Sequence, residues 1–183
     1  LDEYTIMDSA GTMLPDQAAA YTEALADALS IPVAFHCHNN LGLSAANALA
    51  AWQNGAAILD CGVMGMARSA GNLATEVCVA LMQRHGEMKD IDLFGMLDFI
   101  ENRLQPAMAA HNYHNPISPT DLTLGYSGCH SSFLKLFKKA AAEKGVNLFR
   151  LITEVSAANQ KNPTEELIAQ TADRLIKAQK EEA

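Results

Sequence analysis

Aromatic side chains are scarce, at 6% of the 183 residues. No stretch approaches the roughly 20 uninterrupted apolar residues that a membrane span requires. Basic residues are also few. Against 21 Asp and Glu stand 13 Lys and Arg, for a net charge of −8. That balance argues against a nucleic-acid backbone or an anionic membrane as partner. The four cysteines, Cys37, Cys61, Cys78 and Cys129, contain no CxxC pair and no metal-finger spacing. They read as reduced thiols of a cytoplasmic protein, not as a disulfide framework. The opening Leu1-Asp2-Glu3 carries neither an initiator Met nor a basic leader segment, so processing or excision from a longer chain is expected. What is present, 49% hydrophobic and 19% charged residues, is a globular composition and argues against disorder.

The first third alternates short apolar runs with alanine-rich helical stretches. Strands are predicted at residues 4–7, 31–38 and 57–63, and helices at 14–29, 43–52 and 73–85. Pro15 near a helix start costs little, and Asp16 suits the positive end of the dipole. Strand and helix in alternation, with crossovers of roughly twenty residues, argue for βαβ units and a parallel sheet. The apolar runs are expected to be covered on both faces. The second half changes character. An amphipathic helix is expected over 92–104, ending before Pro106, then a polar loop over 111–123. Helices follow at 131–144 and 147–156. Asn162-Pro163-Thr164-Glu165 reads as a helix start with Asn as cap, opening a terminal helix whose face is Leu167, Ile168, Thr171, Leu175 and Ile176.

The residues that carry chemistry sit at strand ends. In His36-Cys37-His38-Asn39-Asn40, positions i and i+2 share a face, so both imidazoles point one way. They suit either a shared divalent metal or pairing with neighbouring carboxylates. Asp8-Ser9 and Asp60 end the other two strands and complete a plausible rim, or else cap the turns there. The loop Gly65–Asn72 has small residues before a helix, where free N–H groups hold anions. It is not GxGxxG, so a dinucleotide reading has little support. Ser131 or Ser132 is expected to cap the helix after His130. His85 reads as a helix C-terminal cation, and His111 and His114 receive no role.

His-x-His-Asn-x-x-Gly (His36, His38, Asn39, Gly42), followed by Gly65, Gly71, Asn72 and Glu76 in a Gly-x5-Gly-Asn-x3-Glu pattern, resembles the HMG-CoA lyase-like metal-dependent (β/α)8 barrels. Asp8-Ser9-Ala10-Gly11 and the stretch 124–133 (LGYSGCHSSF) are similar to the 4-hydroxy-2-oxovalerate aldolases of that group. The resemblance implies an α/β fold: about the last three strands of a TIM barrel over residues 1–100, then an all-helical partner-binding region over 101–183. It implies retro-aldol cleavage of 4-hydroxy-2-oxopentanoate to pyruvate and acetaldehyde, with a divalent metal, most often Mn2+, acting as Lewis acid on the 2-keto acid. It implies metal ligation by His36 and His38, with Asn72 as a further candidate ligand. It also implies substrate contacts from Ser9 and His36, and an acylating acetaldehyde dehydrogenase as partner.

Two departures follow. The family's Asp ligand, beside a catalytic Arg, matches no strand end here, so the 183-residue piece alone is expected to be inactive and weak in metal affinity. His130 stands where the family has a substrate-channel Tyr. An imidazole has a reference pKa of about 6.5 against about 10 for a phenol, so His130 is the candidate catalytic residue with an altered pH dependence. Open sheet edges predict oligomerisation. A Claisen-type acyl-CoA lyase or acyltransferase is the alternative, although loop 65–72 lacks that branch's cysteine. A non-catalytic interaction module is a further reading of the piece itself.

Overall fold

The alternating pattern folds, in a computed structural model describing residues 1–111, 113 and 119–181, into β1 (Tyr4–Asp8), α1 (Pro15–Ala28), β2 (Val33–Cys37), α2 (Ser44–Gln53), β3 (Ala56–Leu59) and α3 (Thr75–Arg84). The strands are parallel, in the order β1-β2-β3. Met7 lies opposite His36, Asp8 opposite Cys37, and Phe35 opposite Leu59. Ile6, Val33, Phe35 and Cys37 face the helices, where Ala18, Ala48, Ala51, Leu73, Cys78 and Met82 complete a core. Fully buried alanines let the helices approach the sheet closely. Phe35, 1% exposed, contributes about 1.5–3 kcal/mol by leaving water.

Coverage of both faces is not what the strands show. Only the central β2 is nearly continuous in burial. Met7 is 55% and Ile58 38% exposed, because the helices cover one face and these residues lie on the other. The second strand is shorter than expected. Tyr4 N–H bonds the Pro32 carbonyl, and just past the strand His38 N–H bonds the Asp8 carbonyl at 3.1 Å while His38 also bridges Asn72. The third strand stops at Leu59, since Gly62 pairs instead with Ala74. A 3-10 turn over Val63–Gly65 follows.

The helical half also departs from expectation. α4 (Leu93–Phe99) passes into a π-helical turn, Ile100–Leu104, and then α5 (Gln105–Ala109). Pro106 does not end the helical path. It falls in the first turn of α5, where its missing N–H costs little. Part of the expected loop is helix: α6 spans Pro119–Ser127. Residues 112 and 114–118, with His114, lie outside the described residues. α7 (Leu134–Lys144) ends at Gly145, whose φ of 66° is left-handed. α8 (Leu148–Asn159) is capped by Asn147. α9 (Glu165–Glu181) is capped by the Thr164 hydroxyl, which accepts from Leu167 N–H at 3.2 Å. Asn162 lies too far upstream for that role.

The chain divides into two compact units, Leu1–Ile117 and Ser118–Ala183. The second has its own core of Leu124, Phe137, Leu151, Ile152, Val155, Ile168 and Ala172. Leu167, Leu175 and Ile176 pack against it and Thr171 is buried, as the helical periodicity predicts. Among the described residues, no helix is long and apolar enough to cross a membrane.

Candidate functional site

The carboxyl ends of the three strands carry the polar residues, as parallel α/β sheets generally do. Asp8 is spent on its own turn: Oδ1 accepts from Thr12 N–H at 2.9 Å and Oδ2 from Met13 N–H at 3.1 Å. Ser9 follows, half-buried. Gly11, at φ 63°, allows this turn to touch the next. A Cβ there would sit 2.7 Å from Asn40 N and 2.9 Å from the His38 carbonyl.

His36 projects from the open face of β2. Its Nδ1 lies 3.0 Å from Asp60 Oδ2. His38, just beyond β2 and 5% exposed, has Nδ1 3.2 Å from the Gly71 carbonyl. A carboxylate and a carbonyl only accept, so each Nδ1 carries the proton and each Nε2 presents a lone pair. The rings are 5.6 Å apart, edge to face. Burial lowers the His38 pKa, and its electrostatic interactions with Arg68 and His36 lower it further. The Gly71 hydrogen bond and Asp8 oppose this. The net effect favours neutral imidazole, the ligating form.

Asn72 joins them through the His38–Asn72 bridge, with Asn39 N–H on the Gly71 carbonyl at 2.9 Å. Its Oδ1 is buried without a hydrogen-bond partner. Two imidazoles with oriented lone pairs, and an orphaned amide oxygen on the residue bridged to His38, are donor types that fit a divalent cation. Among the described residues, no group of three or more His, Cys, Asp and Glu gathers to hold one. The structure thus brings His36, His38 and Asn72 together, with Ser9 ending the neighbouring strand.

His130 lies in the second unit. Ser132 N–H donates to its Nδ1 at 3.2 Å and Ser132 Oγ stands at 2.8 Å. The cap of this 3-10 turn is therefore His130, not Ser131 or Ser132. With Nδ1 accepting, the ring proton sits on Nε2.

Two contacts here were given no role by the sequence. Tyr113 reaches the loop before α3, hydrogen-bonding the Ala67 backbone, and burial raises its pKa. Glu76 Oε2 accepts from Met64 N–H at 3.0 Å, fixing that loop where Met64 adopts a φ of 56°. The Gly-Asn-x3-Glu spacing was the only signal for Glu76; Tyr113 had none.

Residues 3–101 match the HMGL-like family, and residues 116–177 match the DmpG-like communication domain. A 4-hydroxy-2-oxovalerate aldolase of Chloroflexus aurantiacus is 42% identical over 151 residues, covering 82% of this chain and 43% of that one. The 4-hydroxy-2-oxovalerate aldolase 2 of Nocardia farcinica is 37% identical over 174 residues, covering 95% and 49%. The chain spans about half the length of the curated relatives it matches. Among solved structures, an HMG-CoA lyase from Acenitobacter baumannii is 28% identical with a TM-score of 0.52, covering 63% of this chain and 38% of that one. The strand-end histidines, the loop closing on Asn72 and the parallel sheet are thus those of a partial TIM barrel followed by a helical region, and the chain belongs to the HMGL-like family.

Proposed function

We propose that this chain carries the metal-holding portion of a class II aldolase, one that cleaves 4-hydroxy-2-oxopentanoate to pyruvate and acetaldehyde once the remaining barrel strands are supplied. The observation that carries this reading is a pair of Nδ1-anchored imidazoles whose rings lie 5.6 Å apart, with Asn72, whose buried Oδ1 has no partner, bridged through the backbone to His38. Relatives named 4-hydroxy-2-oxovalerate aldolase support the substrate.

His36, His38 and Asn72 would hold the cation, with Mn2+ as the proposed metal. When bound, such a cation acts as a Lewis acid on a 2-keto acid. Asp60 keeps the His36 proton on Nδ1 and so keeps Nε2 available. The Gly71 carbonyl does the same for His38. Ser9, at the end of β1, offers a hydroxyl to the substrate carboxylate, and His36 borders the same space. His130 Nε2–H is the proposed proton donor in catalysis. Residues 1–100 hold the metal-binding part of the barrel. Residues 101–183 form the proposed docking region for an acylating acetaldehyde dehydrogenase, in a cytoplasmic homo-oligomer. The communication-domain match supports this assignment.

The chain alone offers two imidazoles and an amide, too few donors for tight binding, so we expect little or no turnover from it. The test has two arms. Mn2+ titrated calorimetrically into the 183-residue chain should bind weakly, and the H36A/H38A double variant should abolish binding. A protein supplying the remaining strands should release pyruvate from 4-hydroxy-2-oxopentanoate, and the same double substitution should remove that activity. Undiminished turnover in the double variant refutes the metal assignment. Acetyl-CoA-dependent activity without aldol cleavage refutes the substrate.

A further inference from the structure

Behind the metal-binding edge, two thiols of the same unit remain unused by the proposed chemistry. Cys61 follows β3 and is exposed, whereas Cys78 sits in the first turns of α3, 2% exposed. Backbone pairing holds the two segments together. Gly62 N–H bonds the Leu73 carbonyl at 3.0 Å, and Thr75 N–H bonds the Gly62 carbonyl at 2.9 Å. Cys78 N–H bonds the Ala74 carbonyl at 2.9 Å. A helical Cβ tilts toward the helix N-terminus, so the Cys78 side chain leans back over the turn where Gly62 is bridged to Ala74. Its thiol there hydrogen-bonds the Cys61 sulfur, as does the Thr75 hydroxyl.

We propose that Cys61 and Cys78 form a peroxide-responsive thiol pair, in which Cys61 is the sulfur oxidised and Cys78 the thiol that resolves it to a disulfide. The inference stands apart from the aldolase reading. Cys61 is the sulfur open to solvent, while Cys37, Cys78 and Cys129 are buried. The hydrogen bond from Cys78 pulls the Cys61 pKa down most strongly and the Thr75 hydroxyl assists. Burial and the carboxylates of Asp60 and Glu76 oppose them. The same shared hydrogen bond raises Cys78, which keeps its proton. Exposure makes the same assignment: Cys61 is the sulfur that a peroxide in solvent reaches, and Cys78 is the covered one beside it.

The chemistry balances with one hydroperoxide. The Cys61 thiolate attacks a peroxide oxygen, the O–O bond breaks, and the departing alkoxide takes a proton from water to give an alcohol. Cys61 becomes a sulfenic acid. The Cys78 sulfur then attacks the Cys61 sulfur. Hydroxide leaves and takes the Cys78 proton, giving water and the disulfide. Two electrons pass from the two thiols to the peroxide. The new bond would fasten the segment after Asp60, and with it the His36 partner, to α3.

The reduced 183-residue chain, treated with hydrogen peroxide and then alkylated, should lose two hydrogens, and peptide mapping should join Cys61 to Cys78. In the C78S variant, oxidation should stop at a sulfenic acid on Cys61 that dimedone captures. In the unmodified chain, Cys61 should also react with iodoacetamide at neutral pH at least about tenfold faster than Cys37 or Cys129. That measurement stands even where C78S fails to fold. A Cys37–Cys78 link, or sulfinic acid accumulating on Cys61 of the unmodified chain, overturns the proposal. So does equal alkylation of the three thiols.

Discussion

His36 Nδ1 and Asp60 Oδ2 meet at 3.0 Å across the ends of β2 and β3. The contact selects one imidazole tautomer and aims the other nitrogen away from the carboxylate. Asp60 is itself well exposed, 60% at the side chain, so as an ion pair it adds little stability. Its effect should appear in ligation. The D60N variant should fold with an unchanged Tm, while Mn2+ affinity falls about 10- to 100-fold, the usual cost of removing a carboxylate that orients a histidine ligand. Calorimetric titration decides it; equal affinity in both proteins would remove Asp60 from the site.

Asn72 should show the opposite separation. Its buried Oδ1 has no partner, a state that costs about 1–3 kcal/mol in a metal-free protein. Truncation to N72A relieves that cost, though it leaves a small void. The metal-free variant should therefore unfold within about 1 kcal/mol of the parent chain. Added Mn2+ should raise the Tm of the parent chain and leave N72A unmoved. Thermal unfolding with and without metal measures both. A Tm rise shared by N72A would place the cation elsewhere.

Much of this site was legible because it depends on local spacing. His36 and His38 share a face through the period of two, and the α9 stripe from Leu167 to Ile176 follows the helical period. What was not legible depends on register or on distant segments. The Asp60–His36 contact exists because Phe35 pairs with Leu59, and no local pattern states that register. Tyr113 arrives from more than forty residues beyond Ala67's own strand-end loop, and nothing in its neighbours announces the contact. Pro106 and Thr164 were misplaced for a smaller reason. Several residues near each helix start satisfy the same capping chemistry, and packing chooses among them.

The pH dependence of folding should carry the signature of His38. Burial first, then electrostatic interactions with Arg68 and His36, hold its pKa below the ordinary 6.5. The unfolded chain therefore binds a proton at pH values where the folded chain does not. Stability is fully present above 6.5 and declines as pH falls from there toward the depressed folded value. Urea unfolding at a series of pH values should show that decline, and H38Q should flatten it. An unchanged slope in H38Q would assign the titration to another group.

Gly11 tests whether the three strand-end turns act as one support. Its φ of 63° is left-handed, and a Cβ there meets Asn40 N at 2.7 Å and the His38 carbonyl at 2.9 Å. Both neighbours are backbone, so neither can swing aside as a side chain would. The left-handed conformation alone costs a non-glycine residue about 1–2 kcal/mol, and relieving the clash requires moving the segment that carries His38. The G11A variant should lose about 2–4 kcal/mol, in the range of backbone-strain substitutions. Because the displaced atoms belong to His38 and Asn40, the loss should not be confined to stability. Mn2+ affinity should fall together with urea resistance, under conditions where the variant is still folded by circular dichroism. A folded G11A chain with unchanged metal affinity would show that His38 is positioned by Gly71 and Asn72 alone, independently of the turn that follows β1.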